Sequence, residues 1–157
     1  MSIEDVFQAI RLKNYQDYLR LIDGVDVNAE NEDGQTLLHE AAAYNSLECA
    51  RDLISRGADV DSQDPKEMVP LHYAAANGAF EVAEILAEGG ANFSISDKYG
   101  NEPLWTAVFN ARGNYKTVDL FVRHGANPNH KNDSGKSPFD FAKQIKDFGL
   151  ITMLENE

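Results

Sequence analysis

The chain repeats with a period of 33 residues. Thr36-Leu37-Leu38-His39-Glu40-Ala41-Ala42 returns as Val69-Pro70-Leu71-His72-Tyr73-Ala74-Ala75, and again as Glu102-Pro103-Leu104-Trp105-Thr106-Ala107-Val108. A second motif keeps step with the first: Gly24-Val25-Asp26, Gly57-Ala58-Asp59, Gly90-Ala91-Asn92 and Gly125-Ala126-Asn127. A fixed period of this length marks stacked supersecondary units, none of which can bury its apolar face alone. A stack encloses no active-site cavity by default. What it offers is a long surface for another macromolecule.

Each unit reads as helix, tight turn, second helix and extended loop. Thr36 is placed to cap the first helix of the second unit, since its hydroxyl can accept a free N–H at that end. Ala41, Ala42 and Ala43 allow close helix approach, and Asn45 breaks the helix. Leu47, Ala50, Leu53 and Ile54 lay an apolar stripe along the second helix, and Gly57 ends it as a left-handed cap. The third unit has helices near Leu71–Asn77 and Phe80–Glu88. In the fourth the spacing slips: Gly90 to Gly125 and Pro103 to Pro138 are both 35 residues. The two extra residues fall in 110–114, where they lengthen a helix end or its turn without breaking the stack.

The units span about 2–30, 31–63, 64–96, 97–131 and 132–157 of one domain, 1–157. The two end units are degenerate. The first has helices near Ile3–Leu12 and Tyr15–Ile22, and the last starts at Ser137-Pro138. Their polar residues, among them Glu4, Asp5, Arg11, Arg20, Lys143 and Lys146, suit solvent-facing caps that stop open-ended stacking and favour a monomer.

The formal net charge is −12. Residues 1–64 hold 14 Asp/Glu against 5 Lys/Arg, and residues 65–157 hold 12 against 9. An acidic chain repels phosphate backbones, which argues against a nucleic-acid partner, and steers toward a basic one. No apolar run approaches the length of a membrane span. The amino terminus shows neither a basic nor an apolar signal region. The single cysteine, Cys49, excludes an internal disulfide and fits a reducing compartment, so a cytoplasmic location is expected. Cys49 itself reads as a small buried apolar residue.

These motifs resemble the ankyrin repeat, whose pattern is Thr-Pro-Leu-His-x-Ala-Ala with a Gly-Ala-Asp terminator. The resemblance covers nearly the whole chain. It implies an all-α solenoid of about five helix-turn-helix repeats with β-hairpin-like loops, the terminal repeats acting as caps. Loop tips and the exposed face of each first helix would form a concave surface for a protein partner. Leu37 replaces the usual proline, and Trp105 replaces the motif histidine with Phe109 one turn further on. Glu67 stands where the loop glycine belongs, and with Pro65 beside it a different turn is expected there. Residues 103–113, with their insertion, also look like short bacterial ankyrin proteins encoded beside secreted polymorphic toxins. Those serve as immunity proteins that bind and block a cognate toxin.

No catalytic constellation stands out. His39 and His72 recur with the repeat and read as structural hydrogen-bonding groups at helix starts. His124 and His130 lack metal-type partners, and no phosphate-binding glycine motif occurs. No cofactor, metal or enzymatic activity is expected. Carrying over the partner-facing positions of the resemblance gives Glu30, Glu32, Asp33 and Gln35 with Tyr44 in the second repeat. In the third they are Lys66 and Met68 with Asn77, flanked by Gln63 and Pro65. In the fourth they are Lys98, Tyr99 and Asn101, with Trp105, Phe109 and Asn110. Acid gathers at one end and aromatic side chains at the other, a mixture suited to a desolvated centre with a charged rim. The function expected is inhibition of a basic toxin or effector. The alternative is an adaptor that joins two proteins without inhibiting either.

Overall fold

The computed structural model describes residues 1–155, and among them it holds ten α-helices and no β-strand. These are α1 (Ile3–Arg11), α2 (Tyr15–Ile22), α3 (Leu37–Tyr44), α4 (Leu47–Ser55), α5 (Pro70–Asn77), α6 (Phe80–Glu88), α7 (Pro103–Phe109), α8 (Lys116–Arg123), α9 (Pro138–Gln144) and α10 (Phe148–Glu155). They pack in two rows. The first helices α1, α3, α5, α7 and α9 each lie against the next, and α2, α4, α6 and α8 do the same behind them. The period implied such a stack, and its all-helical form is the ankyrin-type solenoid that the resemblance implied.

The local signals act as their chemistry dictates. The Thr36 hydroxyl accepts the His39 N–H at 3.3 Å. Asn45 and Gly78 end α3 and α5 in the left-handed conformation, at φ 53° and 62°. Leu38, Leu71 and Leu104, one period apart, are all buried, each stabilising the stack by about 1.5–3 kcal/mol. Ala41, Ala74 and Ala107 are buried at the corresponding positions, which lets the first helices approach closely. Behind them Leu53, Leu86 and Phe121 repeat the same service on the second helices. The Cys49 thiol is buried on α4, and burial pushes its pKa up to about 12. It stays a thiol and packs as an apolar group.

The insertion goes wholly into the turn. α7 stops at Phe109 and α8 starts at Lys116. Arg112 and Gly113 between them take left-handed φ values of 46° and 86°. Val108 before the turn and Val118 after it are both buried, so the register of the core is undisturbed.

The loops share one turn. Asn31, Asp64, Asp97 and Asn132 each accept two N–H groups through Oδ1, from the residues two and four positions on, at 2.9–3.0 Å. The hairpin character is slight, with one antiparallel bridge, Glu30 to Thr36. The expectation of a different turn at Pro65–Glu67 is overturned. Glu67 adopts φ 61°, close to Gly34, Gly100 and Gly135 at 74–78°. The Asp64 bonds outweigh the left-handed penalty of about 1–2 kcal/mol. Glu67→Gly is therefore expected to raise stability by about 0.5–1 kcal/mol, since glycine's greater freedom when unfolded takes back part of the gain. Urea denaturation measures this, and an unchanged or lowered midpoint would show that Glu67 is unstrained.

Loop tips abut along the stack. The Lys98 N–H donates to the Lys66 carbonyl and the Asp133 N–H to the Tyr99 carbonyl, both at 3.0 Å. Pro65 rests on Gly34, where a Cβ would meet its ring at 2.7 Å. At the far end the cap is less polar than Lys143 and Lys146 suggested. Phe148 is exposed because α10 is apolar on most sides and packs mainly against α9, and Ile145, which closes α9, is exposed too. Among the described residues no helix is long and apolar enough to cross a membrane.

Candidate partner-binding face

The first helices and the loop tips share one face, and its frame is set by the repeated histidines. His39 Nδ1 accepts the Thr36 N–H and His72 Nδ1 accepts the Val69 N–H, both at 3.0 Å. A nitrogen that accepts from an amide carries no proton, so Nε2–H is the donor. It donates to the carbonyl of Met68 from His39 and of Asn101 from His72, both at 2.8 Å. Each ring thus ties its own helix start to the loop of the next unit. Burial lowers both pKa values below the ordinary imidazole value and keeps the rings neutral. Both nitrogens of each ring are engaged, which accounts for the recurrence without catalysis.

In the fourth unit Trp105 stands in that position; an indole has one N–H donor and no acceptor nitrogen, so the bond from the helix-start amide cannot form. Other contacts tie the loop before α7 to the loop before α9. Asn132 Nδ2 donates to Asn101 Oδ1 at 2.9 Å, and His130 Nε2 lies 3.0 Å from the Gly100 carbonyl. His130 Nδ1 is 3.2 Å from Glu102 Oε1. Glu102 Oε2 is buried with no partner among the described residues. Burial raises the Glu102 pKa above the usual carboxyl value, with His130 opposing. Glu102 was not singled out from sequence. The available signal was a glutamate at the helix-start position that Thr36 fills in the second unit.

Freed from the histidine's task, the Trp105 indole lies against Phe141 at 5.5 Å and Phe109 at 6.4 Å between ring centroids, with Phe109 and Phe141 5.3 Å apart. Trp105 is half-buried, while Phe109 is 55% exposed. Phe141 was missed in the sequence because the last repeat is degenerate and its first helix follows a shifted spacing.

The remaining expected positions divide by what their polar atoms already do. Glu30, Glu32 and Asp33 are exposed and line an open recess of about 690 Å³ with Ser2, Ile3, Glu4, Asn31 and Arg11. Arg11 bridges Glu4 at 2.6 Å and also pairs with buried Glu40, a link between units that sequence reading missed. Gln35 is committed inward, donating to the Tyr73 hydroxyl at 2.8 Å; that hydroxyl in turn donates to Asp64. Met68 and Asn101 are half-buried beneath the histidine bonds. The amides of Asn77 and Asn110 donate to the carbonyls of Tyr73 and Thr106 at 2.8 Å, finishing their own helices. Tyr44 and Tyr99 are exposed, as are Lys66 and Lys98 at the loop tips, with Lys98 Nζ 5.2 Å from the Tyr99 ring centre.

Charge changes along this face. Residues 1–97 carry 19 Asp/Glu against 6 Lys/Arg, and residues 98–157 carry 7 against 8. Among the described residues no group of three or more His, Cys, Asp or Glu could hold a metal ion.

The family model described as ankyrin repeats (3 copies) matches residues 6–97 and 41–132. No curated protein matches the chain.

Proposed function

The chain belongs to the ankyrin-repeat family, and from that premise we propose that it is a non-enzymatic immunity-type inhibitor of a basic toxin or effector domain. The coarser role follows from the family: ankyrin repeats are protein–protein interaction modules. The finer one is carried by Glu30, Glu32 and Asp33. They are exposed at the loop tip of the second repeat, beside the open recess, and none has a cation within salt-bridge distance among the described residues. An unpaired carboxylate cluster lies well against the cationic groove of an enzyme that handles polyanions. There it also speeds encounter, an effect that salt weakens. The inhibitor would act in the cytoplasm as a monomer, residues 1–157 serving as one unit.

The test is capture of the protein encoded by the adjacent gene, followed by rescue of cells that express it. Reversing Glu30, Glu32 and Asp33 together to lysine is expected to weaken binding at least about tenfold, since close charge pairs couple by roughly 1.5–7 kcal/mol at well-studied interfaces. It should also flatten the dependence of affinity on salt. Failure to rescue would end the immunity role. Unchanged affinity and salt slope in the triple variant would end its electrostatic basis.

A further inference from the structure

We propose that the partner presents an acidic segment with an apolar anchor to the α7–α9 end of the face, the reverse of the polarity that the chain's net charge implies. This rests on the preceding reading that the face binds protein, and it specifies the partner's chemistry at the end away from Glu30.

The anchor site is the ring cluster of Trp105, Phe109 and Phe141. An exposed aromatic backed by two others is the kind of centre on which binding energy concentrates. Cations stand at both ends of the helices that carry the rings. Lys98, Lys131 and Lys136 lie in the loops that precede α7 and α9, and Arg112, Lys143 and Lys146 lie at or beyond their ends. Lys131 and Lys143 share Asp140, at 2.9 and 3.8 Å. Lys98, Arg112, Lys136 and Lys146 have no carboxylate within 4.0 Å among the described residues.

The local balance follows. Residues 98–146 hold eight cations and four carboxylates. Of the four, Glu102 is buried, Asp119 is paired with Arg123 at 2.8 Å, and Asp140 is paired as described. Asp133 remains to offset the free cations, and just outside this stretch Asp97 accepts two backbone N–H groups and Asp147 accepts the Tyr115 hydroxyl at 2.6 Å. A basic segment seated on Phe109 would meet like charge on both sides, whereas an acidic one is complementary at each end. A partner that spans the whole face is therefore polar along its length, cationic over Glu30–Asp33 and anionic over Lys98–Lys146.

Trp105 is the chain's single tryptophan, so its emission reports on this cluster. The probes are two short synthetic peptides with the same central Leu-Phe pair, one flanked by glutamates and the other by lysines. They are titrated at roughly 50 mM salt, where screening is weak. The glutamate peptide is expected to shift Trp105 emission saturably. Its affinity should fall at least about tenfold in Phe109→Ser, and as much in the double variant Lys98→Glu with Lys136→Glu. These residues are on the surface, and an unchanged far-UV circular dichroism spectrum verifies folding. Equal or tighter binding of the lysine peptide overturns the proposal. So does an affinity unmoved by charge reversal, or no emission change with the glutamate peptide up to about 1 mM, the weak limit of useful recognition. Capture by the triple variant at Glu30, Glu32 and Asp33 separates the two claims. If the peptides fail while that variant still loses its partner, the polarity assigned to this end falls and the binding function stands.

Discussion

His72→Ala is expected to destabilise the fold by about 3–5 kcal/mol, the largest loss among the substitutions considered. The ring has no exposed surface. It satisfies the Val69 N–H at 3.0 Å and the Asn101 carbonyl at 2.8 Å. Alanine would leave both groups without partners, at about 1–3 kcal/mol each, and would open a cavity between α5 and the next loop. For a chain of this size each kcal/mol lowers the melting temperature by roughly 2–4 °C, so a fall of about 6–20 °C should be seen. A loss under about 1 kcal/mol in urea denaturation would mean that water or a shifted loop replaces the ring. The pH dependence gives a second readout. Burial lowers the folded pKa of His72 below its unfolded value, so the unfolded chain binds the proton more readily. The contribution is fully present above the unfolded pKa of about 6.5. It is lost as pH falls below that value toward the folded one. The parent should lose stability between neutrality and pH 5, and His72→Ala should lose less over the same interval. His39, held in the same way, supplies the slope that remains.

Gly100→Ala is expected to cost about 2–3 kcal/mol and to loosen one end of the stack. Gly100 has φ 78°, and a Cβ there would lie 2.5 Å from Asp133 Oδ1 and 2.9 Å from the Asp133 amide nitrogen. The left-handed conformation alone accounts for about 1–2 kcal/mol. The rest comes from moving Asp133 and losing its 3.0 Å bond to the Tyr99 carbonyl. Gly90→Ala is the control: φ is 87° there, but a Cβ meets nothing within 4 Å. Equal losses in the two variants would show that conformation alone matters and that loop contact does not. Because units in a stack couple mainly to their neighbours, faster amide exchange in Gly100→Ala should concentrate beyond residue 127. Uniform acceleration along the chain would mean that the stack opens as a single unit.

Much of the scaffold could be read directly, and for a local reason. Helix starts at Thr36 and Ser137, breaks at Asn45 and Gly78 and the apolar stripe through Ala50 and Leu53 are each set within a few residues. The 33-residue period then copies them along the chain. The turn at Glu67 misled because the left-handed cost was weighed without Asp64, whose bonds to the residues two and four positions on recur in every loop and hold the same turn. The candidate face was less legible. Gln35, Asn77, Asn101 and Asn110 look like free amides in sequence, yet each amide group is already hydrogen-bonded within the fold. Phe141 and Arg11 gain significance only from neighbours 32 or more and 29 residues away.

By itself the order of residues settled the architecture, because a period repeated in phase fixes what every unit must bury and therefore how units stack. It also located the insertion and explained the histidines as members of a pattern. Only the folded arrangement decided which side chains on the shared face are spent on holding units together and which remain open. It set Phe109 out beside Trp105 and Phe141 and, among the described residues, left Glu30, Glu32 and Asp33 unpaired and buried Glu102 with one oxygen unsatisfied. The physical cause is distance along the chain: a hydrogen bond or ring contact between successive units joins residues about thirty positions apart, where no local preference can specify it.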